Sequence, residues 1–134
     1  MSGTASNSRQ LRVLIADDDR DAVLSLMLLM RDEGHEVRGA YSGTEVVQKV
    51  RDFGPDALLL DIGMPHRSGY EVACELRERY GSAKPLLIAI TGWKNATDKM
   101  LAQLAGFDHH LGKPYDPRAL LVLLEPLKPR FPLT

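Results

Sequence analysis

Five residues far apart in the chain carry side chains suited to one chemistry: Asp17 and Asp18, then Asp61, Thr91 and Lys113. Each stands at or just past the end of a short apolar run, at 12–16, 57–62, 85–90 and 107–111. Three carboxylates brought to one place repel each other unless a cation sits among them. A hard divalent ion with oxygen ligands fits, Mg²⁺ above all, because it takes one or two carboxylates together with backbone, water and phosphate oxygens. A lysine and a hydroxyl beside these acids suit a second, anionic occupant such as a phosphoryl group, the lysine as a point charge and the hydroxyl as a hydrogen-bond donor. Taken singly, each residue has a plainer reading. A strand-end Asp often caps a helix, as expected for Asp19 and Asp21 at the start of the first one, and a loop lysine is usually solvated. What singles the five out is their arrival at one edge of one sheet.

That edge exists if the apolar runs are parallel strands. The second strand is expected at 36–40, and helical patterns fill the intervals. The first helix runs through Met30, with Gly34 placed to end it in a left-handed conformation. Ser42-Gly43-Thr44-Glu45 has the spacing of a capping box and opens a helix with Val46, Val47 and Val50 inward. Ser68-Gly69-Tyr70-Glu71 repeats that spacing ahead of Val72, Ala73 and Leu76. Residues 96–105 form a helix stopped by Gly106, and Asp116-Pro117 caps a last helix through Glu125. Five strands alternating with five helices predict an α/β fold: a doubly wound, five-stranded parallel sheet with helices on both faces. The strands are apolar throughout, as expected when both sheet faces are covered. Ligands of such sheets bind beyond the C-terminal strand ends, which is where the five residues fall. Residues 11–125 are expected to form one domain. Residues 1–10, rich in Ser, Gly, Thr and Asn, read as a disordered lead or an expression remnant. Residues 126–134 read as a tail kept extended by Pro126, Pro129 and Pro132.

Composition narrows the function classes. The 134 residues contain 17 Lys and Arg against 18 Asp and Glu, a net charge of −1. No basic patch stands out to hold nucleic acid or anionic lipid, and no apolar run approaches the ~20 residues of a membrane span. One cysteine, Cys74, and an N-terminus without an apolar signal core point to a reducing, cytoplasmic setting. Cys74 falls outside the apolar stripe of its helix and reads as a small helix residue, while His35 and His66 read as loop or cap residues. An EF-hand over Asp17, Asp19 and Asp21 fails at its sixth and twelfth positions, Ala22 and Leu28. A haloacid-dehalogenase-type phosphatase needs a second Asp at position 63, where Gly63 stands. A flavodoxin needs a phosphate loop where this chain has three aspartates.

In its motifs the sequence resembles the receiver domain of two-component response regulators over residues 11–124. The matching segments are Leu14-Ile15-Ala16-Asp17-Asp18-Asp19, Leu58-Leu59-Leu60-Asp61-Ile62-Gly63-Met64-Pro65 with Ser68-Gly69-Tyr70, Ile90-Thr91-Gly92 and Gly112-Lys113-Pro114. Residues 105–111 are similar to receivers attached to hybrid histidine kinases. The resemblance implies the flavodoxin-like strand order 2-1-3-4-5 and a phosphoacceptor domain of a two-component phosphorelay. In that role Asp61 takes a phosphoryl group from a phosphohistidine, which a carboxylate can do without an activating base. Asp18, Asp61 and the Gly63 carbonyl are implied to bind Mg²⁺, with Asp17 acting through water and Mn²⁺ expected to substitute. Lys113 neutralises phosphoryl charge and Thr91 is the switch hydroxyl. The Lys113-Pro114 bond is implied to be cis. Implied partners are a histidine kinase or histidine phosphotransfer protein and a fused or separate effector, with no nucleic acid or membrane. The domain is implied to be a signalling module that promotes its own phosphorylation and dephosphorylation, not an enzyme acting on outside substrates. The alternative is a pseudo-receiver, an interaction module that keeps the fold without being phosphorylated.

Two features depart from the family pattern or add to it. His110 stands at the switch position three residues before the lysine, where the family carries Tyr or Phe; histidine is smaller, more polar and titrates near neutral pH. Its neighbour His109 should point to the opposite face of the strand, so the two cannot readily chelate one ion. On a helical wheel the first helix places Ala22, Leu26 and Leu29 together as a buried stripe and leaves Leu24, Met27 and Leu28 on the far side. Leu24, Met27 and Leu28 read either as part of a wide stripe or self-association patch or, because receivers resembling this chain engage four-helix bundles through their first helix, as candidates for docking a helical partner.

In the family the sequence resembles, side chains two positions beyond the acceptor Asp and the switch hydroxyl help to place a hydrolytic water; here these are Gly63 and Trp93, and neither can orient one. The phosphoryl group is expected to be lost slowly. Gly63→Asn combined with Trp93→Glu should accelerate that loss in a label-decay assay, and an unchanged rate would refute this explanation.

Overall fold

The strands β1 (Arg12–Ala16), β2 (Glu36–Ala40), β3 (Ala57–Asp61), β4 (Leu86–Thr91) and β5 (His109–Gly112) pair in parallel in the order β2-β1-β3-β4-β5. The structure, a computed structural model, describes residues 10–64, 66–82, 84–92 and 96–127. The helices are α1 (Arg20–Asp32), α2 (Gly43–Phe53), α3 (Gly69–Tyr80), α4 (Ala96–Ala105) and α5 (Pro117–Leu124). Alternate strand residues serve two cores, because successive side chains point to opposite faces. Leu14, Leu58, Leu60 and Leu87 meet Val46 and Phe53 of α2, Val72 and Leu76 of α3, and Ala102 of α4. Val13, Ile15, Leu59 and Ile88 meet Val23 and Met30 of α1 and Leu120 and Leu124 of α5. The expected doubly wound sheet is therefore present.

The helix starts follow their caps. Asp19 accepts the N–H groups of Asp21 and Ala22 at 3.1 and 3.3 Å, so its capping role is as read. Ser68 and Glu71 make a full capping box. At α2 the box is half made: Ser42 Oγ accepts the Glu45 N–H, but the Glu45 carboxylate reaches one residue further back, to the Tyr41 N–H at 2.7 Å. Asp116 caps α5 with Pro117 in its first turn.

Several expectations are corrected. The buried face of α1 is centred on Val23 and Met30; Leu26 and Leu29 of the expected stripe pack partly buried against the same core, and so does Met27, which was expected on the far side. The cause lies on β2, where Gly39 has no side chain. A Cβ there would stand 2.8 Å from Val23 Cγ1 and 3.4 Å from the Met27 sulfur, so the helix turns this side to the sheet. Leu24 and Leu28 remain exposed. His35 lies in the loop between α1 and β2, as read, but it is buried there, and its Nδ1 accepts the Leu11 N–H at 3.1 Å. The chain beyond α5 is not extended at once. Glu125–Leu127 forms a 3₁₀ turn through Pro126, and Leu127 packs against the core, so apolar burial carries the domain past its expected end at 125. The expected tail at 128–134, the lead at 1–9, and Pro65 and Trp93 lie outside the described residues.

Arg77 of α3 braces the half of the sheet away from β1. Its Nε donates to the Gly106 carbonyl at 2.8 Å, its Nη1 to the Pro85 carbonyl at 3.0 Å, and its Nη2 to Asp108 at 2.7 Å. Asp108 also accepts the Leu87 N–H at 2.8 Å. One guanidinium thus ties the start of β4 and the turn before β5 to α3.

Candidate functional site

Parallel strands present their C-terminal ends on one side, so the last residues of β1, β3, β4 and β5 share an edge. In register, Ala16 pairs with Leu60, Asp61 with Ile90, and Thr91 with Gly112. Asp17 therefore follows β1 directly beside the end of β3, where Asp61 stands. Asp17, Asp61 and Thr91 are all buried, while Asp18 is exposed. The carboxylate oxygens of Asp17, Asp18 and Asp61 lie within 4.8 Å of one another. The sequence expectation that these three acids meet is fulfilled.

Each buried acid divides its two oxygens between two tasks. Asp17 Oδ1 accepts the Asp19 N–H at 3.0 Å, and Asp61 Oδ1 accepts the Gly63 N–H at 3.0 Å. The second oxygen of each faces the same ammonium: Lys113 Nζ is 3.4 Å from Asp17 Oδ2 and 3.4 Å from Asp61 Oδ2. Burial, together with the neighbouring Asp61 charge, pushes the Asp17 carboxyl above its ordinary value, against the Asp19 N–H and Lys113, which pull it down. Burial alone would lower the Lys113 value, but the charges of Asp61 and Asp17 outweigh it and hold the ammonium above 10.5. Among the described residues this is a surplus of negative charge at a partly buried edge, with one lysine to balance it. The donor set, three carboxylate oxygens within 4.8 Å of one another, is that of a hard divalent cation, so the residues present fit Mg²⁺.

Backbone contacts fix the surrounding loops. The Lys113 N–H donates to the Thr91 carbonyl at 2.7 Å, linking the lysine to the residue expected as the switch hydroxyl. The Lys113-Pro114 bond is cis, as the resemblance implied. In the loop after β3, the Gly69 N–H donates to the Ile62 carbonyl at 3.0 Å. A Cβ at Gly69 would stand 2.7 Å from Ile62 Cα, so only glycine lets α3 start this close to Asp61. His110 is half-buried on β5, and its Nε2 has no hydrogen-bond partner among the described residues. His109 is exposed, in keeping with opposite faces. One participant was missed in the sequence: Tyr115 packs against the core, and burial together with the nearby Asp17 charge raises its hydroxyl above 10.0. The sequence signal for it was its place two residues after Lys113.

Comparison with known proteins agrees with this geometry. A family model described as the response regulator receiver domain matches residues 13–125. A putative response regulator from Chloroflexus aurantiacus is similar at 29% identity and TM-score 0.81, covering 89% of this chain and 98% of that one. A CheY-like response regulator receiver domain protein from Methanospirillum hungatei is similar at 27% identity and TM-score 0.80, covering 88% and 93%. The response regulator TrrA from Thermotoga maritima, solved in complex with Mg²⁺ and BeF, is similar at 27% identity and TM-score 0.77, covering 87% and 98%.

Lys113→Ala leaves two buried carboxylates facing each other without a counter-charge. In chelator the melting temperature should fall by about a few degrees, and Mg²⁺ should recover most of the loss. With its folded value raised above 10.5, the lysine's contribution is complete below that pH and disappears as the pH rises through the folded value. The deficit should therefore be full at neutral pH and shrink in strong alkali. Equal melting temperatures in chelator at pH 7 would show that the ammonium does not balance these acids.

Proposed function

The chain belongs to the response regulator receiver domain family, and from that premise we propose that it accepts a phosphoryl group from a phosphohistidine onto Asp61 and signals by changing conformation in a two-component phosphorelay. The observation that carries this reading is the pair of 3.4 Å contacts joining the Lys113 ammonium to both Asp17 and Asp61. It supports a site built to receive further negative charge once a cation is added.

An Asp61 carboxylate oxygen attacks phosphorus; the new O–P bond forms as the N–P bond breaks, and the imidazole leaves with the electron pair. A carboxylate nucleophile has no proton for a base to remove. Lys113 stands where it can neutralise charge on the transferring oxygens, which is most of what such a transfer demands. Thr91, buried at the end of β4, supplies the hydroxyl for the new phosphoryl oxygens. Its carbonyl, bonded to the Lys113 N–H, ties its backbone to the same lysine. Asp18, Asp61 and the Gly63 carbonyl, with Asp17 through water, would hold Mg²⁺, or Mn²⁺ in its place. The metal when bound supplies charge neutralisation and a template for phosphoryl oxygens. The Mg²⁺ and BeF in the TrrA structure support this assignment.

The donor is a histidine kinase or histidine phosphotransfer protein, and the output a fused or separate effector. Leu24 and Leu28, 54% and 57% exposed and one turn apart on α1, are the docking residues, without Met27. Among the described residues no helix is long and apolar enough to cross a membrane.

Acetyl phosphate should label the wild type with Mg²⁺ or Mn²⁺ and fail to label it in chelator or after Asp61→Ala. Labelling that survives either change would refute the assignment, and a wild type that takes no label under any condition is the pseudo-receiver. Leu24→Glu with Leu28→Glu should leave acetyl phosphate labelling nearly intact but slow transfer from the cognate histidine protein at least tenfold, about 1.4 kcal/mol. Unchanged transfer would place the partner elsewhere.

A further inference from the structure

Between α2 and α3 lies a groove of about 430 Å³ with no part in the phosphoacceptor site. Thr44, Gln48 and Arg51 of α2 form one wall; Arg67, from the loop after β3, and Arg79 and Tyr80, at the end of α3, form the other. Among the described residues its lining includes three arginines, two of them shared with the neighbouring groove, and no acidic residue. Glu75, which pairs with both Arg67 and Arg79, lines the adjacent groove instead, alongside Glu71 and Glu78. These pairings do not exhaust the cations. A guanidinium has five N–H donors, and Glu75 takes Nη1 of Arg67 and Nε of Arg79. Arg51 is held by Asp52 alone, at 3.5 Å and with both side chains more than half exposed, a weak restraint. Three arginines converging on one groove with donors to spare match phosphate, whose oxygens the planar fork engages two at a time.

The groove does not stop at the cations. Tyr80 also lines a pocket of about 270 Å³ with Val50, Gly54, Pro55, Lys84 and Pro85. Tyr80 as a whole is 42% exposed, high for a large aromatic residue at the end of a packed helix. A cationic groove and a largely apolar pocket that share one aromatic side chain are complementary to a molecule with phosphate at one end and a flat ring at the other. We propose that the α2–α3 groove binds a mononucleotide, its phosphate on Arg51, Arg67 and Arg79 and its base against Tyr80 and Pro85. Base-on-aromatic contact tolerates any base, so the site selects the phosphate-and-ring combination over a particular nucleobase. The groove also adjoins the phosphoacceptor loop: the Arg67 backbone presses so closely on Gly43, the first residue of α2, that a Cβ there would overlap the Arg67 carbonyl oxygen. The binding proposal does not depend on phosphorylation of Asp61.

The test is an NMR titration of the full chain with AMP and GMP, and separately with adenosine, ribose 5-phosphate and inorganic phosphate. AMP and GMP should shift amides in 44–51, 67, 79–82 and 84, with affinities at least about tenfold above those of adenosine and of inorganic phosphate. Arg51→Ala with Arg79→Ala should weaken AMP at least about tenfold, and Arg79→Lys, which keeps the charge without the fork, should restore part of the loss. Tyr80→Leu should weaken AMP without weakening inorganic phosphate. Thermal melting checks that each variant is folded. The proposal is overturned if about 5 mM AMP shifts none of these amides, if inorganic phosphate binds as well as AMP (an anion patch only), or if the folded double variant binds AMP as tightly as the wild type.

Discussion

The structure turns on two buried carboxylates that the sheet forces to be neighbours. Asp17 and Asp61 stand at the ends of the paired strands β1 and β3. At an effective dielectric well below that of water, like charges this close repel by several times what they would in bulk solvent. Burial and this repulsion together shift Asp17 upward, and Lys113, the one ammonium within reach among the described residues, counters them. The acids also hold their own loops, since each accepts the N–H two residues ahead. Adding a cation or a phosphoryl group therefore acts on carboxylates that are already part of the backbone's support.

Such a cluster can persist because the rest of the domain leaves it little room to relax. Opposite-parity residues of the same strands enter two separate apolar cores, so a strand cannot slip by one residue without inverting both. The β4–β5 side, which bears Thr91 and leads into Lys113, is fastened by Arg77 through the Pro85 and Gly106 carbonyls and Asp108. Removing so well-connected a guanidinium would strand several polar groups. On the β3 side, Gly69 brings the start of α3 against Ile62, immediately after Asp61.

The outer surface divides by chemistry. On α1, Leu24 and Leu28 are exposed while Val23 and Met30 are fully covered, so an apolar face is left over after the core has been satisfied. The α2–α3 side carries arginines with donors beyond those their own acids take up. These two surfaces lie on different faces of the sheet, since α1 packs on one core and α2 and α3 on the other.

The amino-acid sequence by itself determined the strand count, the alternation with helices and the meeting of Asp17, Asp18, Asp61, Thr91 and Lys113. Apolar runs that end in polar residues are local features, and parallel connectivity then leaves one edge for all of them. It also determined the caps at Asp19, Ser68 and Asp116, where donor and acceptor lie within three residues. The rest depended on partners distant in sequence. Which side of α1 is buried was decided by the missing side chain at Gly39, so Met27 turned inward against the wheel's expectation. His35 became a buried acceptor because the Leu11 N–H sits across from it, 24 positions away. Leu127 found the core past a proline, and Tyr115 came under the influence of Asp17, through packing that no window of sequence contains. Local pattern specifies which residues form an element; the rotation of that element, and what its surplus side chains meet, are settled when elements from opposite ends of the chain pack together.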